Sequence, residues 1–479
     1  MTNISKKSAI NNNESVVLLC GKNNSFNNYG LSKVEIDFIK NEINAKEKKS
    51  ICLNQLHRLF IVQLIDVKKE KYQTTETLRK ASSTVHGWIT DAKVENITVV
   101  DADGKALETL AFAEGLALSN YQFLKYKKDR DKERNSLKSI AIVSKSLNAK
   151  QIEELNIVVE ATCISRTLVN EPVNFLTATQ LSKEFQKMGK EAGFNVEVFN
   201  KEKIKALKMG GLLAVNLGSI EPPTFSIMEY NPKNAKNKKQ PIILVGKGVV
   251  YDTGGVSLKP TPNSMDMMKC DMAGSAAVVG TLYAIAKAKL PVYVIGLVPA
   301  TDNRPGENAY VPGDVITMYN GMTVEMLNAD AEGRMILADA LAYAQKYNPK
   351  LVIDLATLTG AAVAAIGTSG IVAMGTADER TKNKLKQSGN AVFERLAEMP
   401  FWDDYDELIK SDIADMKNLG GPYAGSITAG KFLARYINYP WMHFDIAGPA
   451  FLTTKDNYRL KGGTGVGVRL LFDFLKNNA

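Results

Sequence analysis

Residues 241–252 read PIILVGKGVVYD, a nearly unbroken apolar run that ends on an aspartate. Apolar runs without alternation are typical of strands that are buried on both faces of a sheet. Segments of helical character lie between such runs, for example AGSAAVVGTLYAIAKAK at 273–289. The pattern predicts an α/β fold with a central mixed, largely parallel sheet that helices flank.

Strands and helices alternate along the whole chain, in two groups. A long helix is expected at 149–170, and Pro172 marks its end. We therefore predict an N-terminal α/β domain over 1–148, a linking helix over 149–172 and a C-terminal α/β domain over 173–479. The expected elements are strands at 16–21, 58–65, 96–102 and 139–145 with a helix at 106–124 in the first group, and strands at 195–200, 225–230, 241–252, 291–300, 351–358 and 441–448 in the second.

The composition is that of a globular protein long enough for two or three domains. The chain has 479 residues, of which 45% are apolar and 23% are charged. Its net charge of +9 allows a nucleic-acid-binding role, but the lysines are spread along the chain and no recognition motif accompanies them. That role stays open as an alternative from a different functional class.

Cysteine usage and the N-terminus favour the cytoplasm. The four cysteines show no paired spacing, and the polar start MTNISKKSAINNNES lacks the apolar core of a signal peptide. One uncharged stretch, 355–377, is long enough to cross a membrane, but its four glycines and four threonines favour a segment packed inside a protein core. We expect no membrane contact.

Charged side chains cluster where the apolar runs end. Ligands in open α/β sheets bind at the carboxyl ends of the strands, so side chains at these ends are candidates for one site. The candidates are Lys247, Asp252 and Lys259 in one segment, Asp266 and Asp271 in a second, Asp330, Glu332 and Arg334 in a third, and Asp354 in a fourth.

Asp330 and Glu332 raise the question of whether this is a site or an ordinary helix start. Residues i and i+2 point the same way in extended backbone but lie roughly 200° apart around a helix. If both carboxylates act on one ligand, the turn is non-helical there, and Gly333 lets the backbone approach closely. The alternative is that Asp330 caps the following helix and Glu332 only complements its dipole. The other carboxylate segments favour the site.

Clustered carboxylates need cations among them, and oxygen-rich sites favour hard or borderline divalent metals. Two ions about 3.5–4 Å apart are common in hydrolases. The chain has three histidines and no HExxH, GxSxG, P-loop or GxGxxG motif. A two-metal phosphoesterase would use similar carboxylates, but usually with histidines, and it is the second enzymatic alternative. Cys270 has no histidine near it in sequence and is interpreted as a packing residue.

Several of these segments resemble the motifs of the leucyl aminopeptidase family of dinuclear metallo-aminopeptidases (cytosol aminopeptidases). NADAEGR at 328–334 is similar to the family signature NTDAEGR, and VGKGVVYDTGGVSLKP at 245–260 to its VGKG-(x)3-D-(S/T)GG-(x)3-KP segment. Further segments follow the order of the family's motifs along the chain: MKCDMAGSAAV, VIDLATLTGA, GSITAGKFL and HFDIAGPA. The match covers roughly 155–475 and leaves the first domain unmatched.

The resemblance implies an enzyme that removes N-terminal residues from peptides, preferably leucine or other apolar ones. A hydroxide that bridges two divalent ions, Mn²⁺ or Zn²⁺, would attack the peptide bond. Lys259 and Arg334 would be the catalytic cations, Lys259 at the oxyanion and Arg334 at a bicarbonate that shuttles the proton. The implied metal ligands are Lys247 (as a neutral amine), Asp252, Asp271, Asp330 and Glu332, with Asp252 and Glu332 bridging. The implied substrate-pocket residues are Met268, Asn328, Thr357, Leu358, Gly360, Ala447 and Ala450.

The resemblance also implies a homohexamer in which 173–479 is the catalytic domain and the variable N-terminal part serves assembly or regulation. The sequence departs from the family pattern at a few uncharged positions. Ala329 stands where threonine is usual, Met335 where leucine is usual, and Val250 and Tyr251 replace threonine and phenylalanine. None of these removes a charged ligand, but Ala329 puts the rigidity of the turn before Asp330 in question.

Overall fold

The structure is a computed structural model that describes residues 2–478. The chain divides into two compact units. One holds the residues up to Cys163 together with Thr454–Lys461, and the other holds Ile164–Thr453 and the residues from Gly462 onwards. This division falls inside the long helix and assigns a short segment near the C-terminus to the first unit. The sequence-based boundaries at 148 and 172 stay a prediction.

The first unit is built on one sheet whose strands are mostly parallel. Its elements are β1 (Asn3–Lys6), β2 (Val16–Cys20), α1 (Lys33–Asn44), β3 (Ser50–Asn54), β4 (Leu59–Leu64), α2 (Lys71–Asp91), β5 (Asn96–Asp101), α3 (Ala106–Ser119), α4 (Arg130–Glu133), β6 (Ser139–Val143) and the greater part of α5 (Ala149–Asn170). The strand order is β1-β6-β5-β2-β4-β3. Only the edge pair β3–β4 is antiparallel in this sheet.

Alternate residues of β2 show why this sheet is apolar throughout. Val17 and Leu19 pack in one buried cluster with residues of α2 and α3, and Val16 and Leu18 pack in another with residues of α1. Successive strand residues point to opposite faces, so both faces are buried under helices. A continuous apolar run is the expected sequence of such a strand.

The second unit contains a larger, mixed sheet. Its helices are α6 (Ala178–Ala192), α7 (Lys201–Ala206), α8 (Gly210–Asn216), α9 (Ala273–Lys287), α10 (Glu332–Ala344), α11 (Gly360–Ile366), α12 (Glu379–Ala391), α13 (Gly425–Ala434) and α14 (Val468–Asn478), with 3₁₀ turns at Met265–Cys270, Gln345–Tyr347 and Asp403–Ile409. Its strands are β7 (Asn195–Phe199), β8 (Thr224–Tyr230), β9 (Ile242–Gly246), β10 (Gly248–Asp252), β11 (Val294–Asn303), β12 (Val315–Thr317), β13 (Thr323–Glu325), β14 (Leu351–Ala356), β15 (Ile371–Gly375), β16 (Leu396–Glu398), β17 (Met416–Lys417), β18 (Trp441–Asp445), β19 (Phe451–Leu452) and β20 (Gly462–Gly463).

The main sheet of this unit runs β16-β15-β18-β14-β9-β11-β8-β7, and β10 pairs with β11. The central pairs β18–β14, β14–β9 and β9–β11 are parallel, whereas β15–β18, β11–β8 and β8–β7 are antiparallel. The predicted α/β class and the mixed, largely parallel sheet are confirmed. The carboxyl ends of the central parallel strands share one edge, where a ligand site is expected.

Helices cover both faces of this sheet. Ile243 and Val245 of β9 belong to the buried cluster that contains much of α10. Gly296 of β11 instead faces Val278 and Leu282 of α9. The helix that follows Asp271 and the helix that starts at Glu332 therefore pack on opposite faces of the same strands.

The apolar run at 241–252 forms two strands rather than the single one expected. β9 pairs with β14 and β11, whereas β10 pairs with β11 alone. The break falls at Lys247, whose N–H donates to the carbonyl of Leu355 and whose carbonyl accepts the N–H of Ser275, both at 3.0 Å. An apolar pattern cannot reveal this break because both pieces lie along β11.

The uncharged stretch 355–377 is not one helix. It is divided among the end of β14, the short α11 and β15. None of the helices within residues 2–478 combines the length and apolar character needed to cross a membrane.

Asp339 is a buried carboxylate that ties α10 to its surroundings. One oxygen accepts the N–H of Leu212 and the other accepts the N–H of Tyr319, each at 2.9 Å. Burial raises the pKa of Asp339 to about 7, although the backbone donors oppose this shift. In the unfolded chain the same carboxyl would titrate near its ordinary value of about 3.9.

We expect Asp339→Asn to lower the free energy of unfolding by about 1–3 kcal/mol, because the new amide group faces one N–H donor with another N–H donor. The folded wild type holds a proton on Asp339 that the unfolded chain has lost between about pH 4 and pH 7. The stability that Asp339 contributes therefore falls as the pH rises through that window, and the variant lacks this fall. Urea unfolding of both proteins at several pH values between about 4 and 7 measures the difference in their free energies of unfolding. If the difference between the two urea midpoints were the same at every pH, the raised pKa of Asp339 would be contradicted.

Candidate metal centre

Three buried carboxylates meet at the carboxyl edge of the main sheet. Asp252 ends β10, Asp271 follows the 3₁₀ turn Met265–Cys270, and Glu332 is the first residue of α10. One oxygen of each lies within 4.8 Å of one oxygen of the other two. Residues far apart in sequence thus come together because their segments end at the same edge.

Two lysines bind this carboxylate cluster from different sides. The Nζ of Lys247 lies 2.8 Å from oxygens of both Asp271 and Glu332. The Nζ of Lys259 lies 2.9 Å from Asp252 and also pairs with Asp330. The Lys247 side chain is 3% exposed and that of Lys259 15% exposed. Lys247 therefore lies inside the cluster, and Lys259 lies towards its open side.

The cluster holds more negative charge than its two lysines neutralise. Burial and the neighbouring carboxylates raise the pKa values of Asp271, Asp330 and Glu332, against the opposing effect of the lysines. Burial alone would lower the pKa of Lys247, but Asp271, Glu332 and Asp252 outweigh it and raise that pKa above its ordinary range. Four carboxylates share two ammonium groups, so further positive charge would favour the ionised forms of these carboxyls.

Divalent metal ions fit this donor set. The oxygen Oε2 of Glu332 is buried and accepts no hydrogen bond from any described residue. An uncompensated buried carboxylate oxygen is costly, and a cation relieves that cost. Carboxylate oxygens with one amine nitrogen are suitable ligands for hard or borderline ions. Lys247 would bind an ion only after it releases its proton.

The turn before α10 carries Asp330 outside the helix. Ala331, not Asp330, is the N-cap residue, and no side chain caps this helix. The N–H of Asp330 donates to the side-chain oxygen of Asn328 at 2.8 Å. The alternative in which Asp330 caps the helix is therefore wrong, and Asp330 contacts the cluster through Lys259.

Gly333 is required by a close approach. A Cβ at this position would lie 2.6 Å from Cε and 2.7 Å from Nζ of Lys247. A Cβ at Gly333 would have to displace the buried end of the Lys247 side chain, so glycine lets Lys247 pass the first turn of α10 and contact Glu332.

Arg334 lies beside the cluster without pairing with its carboxylates. Its Nη1 donates to the carbonyl of Asn418 at 2.7 Å. Burial lowers the pKa of Arg334 to about 10, although Glu332 and Asp445 oppose this shift. Its Nε is buried and has no acceptor among residues 2–478.

Several predicted pocket residues contact the cluster or each other. The hydroxyl of Thr357 donates to Asp271 at 2.8 Å, and its carbonyl accepts from Lys247 at 3.0 Å. The backbone N–H groups of Leu358 and Ala447 both donate to one oxygen of Asp445, each at 3.1 Å. Asp445 thereby joins two segments that the sequence assigns to the pocket.

The other predicted pocket residues have fewer contacts with the carboxylate cluster. The carbonyl of Met268 accepts the N–H of Asp271 at 3.2 Å. Asn328 contacts Asp330 as described above. Gly360 starts α11 and Ala450 follows Ala447 by three residues, and within the described chain neither makes a hydrogen bond to the carboxylate cluster.

Two candidate carboxylates lie elsewhere. Asp354 lies within β14, two residues before the strand ends, and accepts hydrogen bonds from Trp441 at 2.7 Å and from His443 at 2.6 Å. Asp266 is exposed in the 3₁₀ turn. Cys270 is buried and its pKa is raised by burial to about 12, so it remains a thiol, in keeping with a packing role.

Sequence reasoning missed three polar residues that hold the turn before α10. Asn303 and Tyr310 both donate to the carbonyl of Ala329, at 3.0 and 3.1 Å. Asn418 accepts from the N–H of Leu327 at 2.8 Å and donates to the carbonyl of Asn328 at 2.9 Å. A signal existed for Asn303, which ends the apolar strand VIGLVPATDN, but Asn418 lies in a loop without one.

Fold and site together define an α/β protein whose main sheet carries a buried carboxylate and lysine cluster suited to divalent metal ions. A model of the cytosol aminopeptidase family, catalytic domain, matches residues 163–472. A probable cytosol aminopeptidase of Chlorobium limicola is 43% identical over 422 residues, which cover 83% of each chain.

Two solved structures extend this similarity. A lysine-to-glutamate mutant of tomato leucine aminopeptidase is 27% identical with a TM-score of 0.87, over 100% of this chain and 97% of that one. The bottromycin maturation enzyme BotP in complex with Mn is 28% identical with a TM-score of 0.84, over 96% and 98% of the two chains. The chain belongs to the cytosol aminopeptidase family and is a metal-dependent exopeptidase, which confirms the resemblance of its sequence motifs.

We expect Gly333→Ala to lower kcat/KM for an aminoacyl amide by about 100-fold, because the added methyl displaces Lys247 or the start of α10. Gly87→Ala is the matched control, since Gly87 lies within α2 and a Cβ there meets nothing within 4 Å. Steady-state kinetics of both variants decide the matter. Equal activity in the two would show that the close approach to Lys247 does not matter.

Proposed function

We propose that this aminopeptidase removes leucine and other apolar N-terminal residues from peptides with two divalent ions, Mn²⁺ or Zn²⁺, in the carboxylate cluster. The observation that carries the proposal is the position of the two lysines, one inside the cluster and one on its open side. A two-metal phosphoesterase would use similar carboxylates but usually with histidines, and among the described residues the group that could hold an ion is Asp252, Asp271 and Glu332, with no histidine.

The metal ligands in this proposal are the residues that meet at the sheet edge. They would be Lys247, Asp252, Asp271, Asp330 and Glu332, of which Asp252 and Glu332 would serve both ions. When bound, the ions would activate the water that attacks the peptide carbonyl, as a hydroxide at neutral pH. The deep burial of Lys247 suits a ligand, because its amine has little access to water.

Lys259 is the residue proposed to contact the reacting carbonyl. Its ammonium group faces the open side of the cluster, and its pKa is raised above the ordinary range because Asp252, Glu332 and Asp330 outweigh the effect of burial. In the cluster without metal ions Lys259 is therefore charged, and its ammonium group can donate to the oxyanion that forms during attack. Donors of this kind typically contribute about 3–4 kcal/mol to transition-state stabilisation.

Arg334 is proposed to hold a small anion, bicarbonate, that moves the proton to the leaving amine. Its Nε is buried and finds no acceptor among the described residues, and the charge of its guanidinium group interacts with Glu332. The pocket for the first side chain would be lined by Met268, Asn328, Thr357, Gly360, Ala447 and Ala450, with the backbone of Leu358 orienting the peptide.

We further propose that the enzyme is cytoplasmic and acts as a homohexamer, with residues 173–479 catalytic and the N-terminal part concerned with assembly or regulation. The support for the hexamer is the resemblance to the family. A nucleic-acid-binding role has no support beyond the net charge of +9.

Chelation and one substitution test the metal proposal together. We expect hydrolysis of leucyl amide to cease with a chelator, to return with Mn²⁺ or Zn²⁺, and to be absent in Glu332→Ala, which loses a shared ligand. The exposed Glu379→Ala is the control and should keep full activity, since its side chain is 73% exposed. Chelator-resistant activity, or an active Glu332→Ala, would refute the proposed site. A phosphodiester assayed in parallel should remain intact.

Acetylation of the substrate tests the requirement for a free N-terminus. We expect N-acetyl-leucyl amide to be hydrolysed at least about 100-fold more slowly than leucyl amide, because acetylation removes the basic amine that the site recognises. Comparison of kcat/KM for the two amides at one metal concentration measures this. Similar values would contradict recognition of the amine.

A further inference from the structure

Asn303 joins two segments of the carboxylate cluster. It is the last residue of β11, lies opposite Asp252 in the β10–β11 pairing and is 0% exposed. Its Nδ2 donates to Oδ1 of Asp252 at 2.8 Å and to the carbonyl of Ala329 at 3.0 Å. One amide group therefore bridges a strand end to the turn that leads to Asp330 and Glu332.

The orientation of this amide follows from its partners. The carboxylate of Asp252 and the carbonyl of Ala329 are both acceptors, so only the NH₂ end of the amide satisfies them. The opposite end, Oδ1, faces Gly255, where a Cβ would lie 2.8 Å away. Gly255 also has a φ of +60°, which favours glycine at that position.

Asp252 is held by three groups. Besides Asn303, the N–H of Gly254 donates to Oδ1 at 2.8 Å, and Lys259 lies 2.9 Å from Oδ2. The Lys259 contact faces the open side of the cluster, whereas Asn303 approaches from the buried side. Asn303 is thus the side chain that fixes Asp252 relative to the protein interior.

The turn is held independently on its other side. Asn418 bonds the backbone of Leu327 and Asn328, and Tyr310 shares the carbonyl of Ala329 with Asn303. Loss of Asn303 would therefore leave the turn folded but would remove its buried connection to Asp252, so that the contact through Lys259, which pairs with both Asp252 and Asp330, remains.

We propose that Asn303 is a positioning residue that sets the separation between Asp252 and the Asp330–Glu332 turn, so that the carboxylates of both segments can bind the same pair of ions. This inference rests on the proposed metal site. Groups that orient metal ligands typically account for about 10- to 100-fold in metal affinity or activity. The expected effect of losing Asn303 is a shift of the Mn²⁺ dependence within this range.

The test uses Asn303→Ala and the milder Asn303→Ser, whose hydroxyl is too short to reach both acceptors. Asn237→Ala is the matched control. Asn237 is 9% exposed and its Nδ2 also donates to two carbonyls, those of Gln240 and Tyr293, next to the start of β9 and away from the cluster. Folded, metal-free full-length proteins are titrated with Mn²⁺ by calorimetry, and kcat and KM for leucyl amide are measured across Mn²⁺ concentrations.

For both Asn303 variants we expect a 10- to 100-fold weaker Mn²⁺ midpoint, with activity partly restored at high Mn²⁺. The Asn237 variant should lose thermal stability and keep the wild-type midpoint. If either folded Asn303 variant binds Mn²⁺ like wild type, the positioning role is overturned. If wild type itself neither binds Mn²⁺ nor cleaves leucyl amide, the proposed metal site fails instead, which is a distinguishable result.

Discussion

The mutual repulsion of four carboxylates at one sheet edge is the constraint on which the site depends. Asp252, Asp271, Asp330 and Glu332 converge, and among the described residues Lys247 and Lys259 are the cations that pair directly with them. Burial and this repulsion raise the pKa values of Asp271, Asp330 and Glu332, and divalent cations would favour the ionised forms of these carboxylates. The surrounding structure can be understood as what keeps these groups together despite their charge.

That support comes from neutral groups rather than from further charges. Asn303, Asn418 and Tyr310 hold the turn through backbone and side-chain hydrogen bonds, and Gly333 removes the side chain that would separate Lys247 from Glu332. The tight fixation also answers the question raised by Ala329. The turn does not depend on a side chain at that position, because its carbonyl already accepts two hydrogen bonds and its N–H donates to Ser257 at 3.1 Å.

The sequence predicted the fold class and the carboxylate segments because both depend on local patterns. Largely apolar runs identified β9 and β14, and the strand-end rule located Asp252, which ends β10. The same rule failed for Asp354, because the sequence alone does not show where β14 ends, and Asp354 lies two residues before its end. The rule also missed Asn303, because it considered charged side chains and Asn303 carries a neutral amide. It missed Asn418 because this residue lies in a loop that only tertiary packing brings to the turn.

The order of the strands in the sheet has a consequence for how the protein folds. The carboxylates of Asp252, Asp271 and Glu332 meet only after β10 has paired with β11, and β9 with β11 and β14, which are segments far apart in the chain. Asp445, which anchors Leu358 and Ala447, lies still further along the chain. Contacts between residues so distant in sequence form late because they require closure of long loops. A chain in which these strands have not paired therefore lacks the carboxylate cluster, and we expect peptide-cleaving activity only after they have paired.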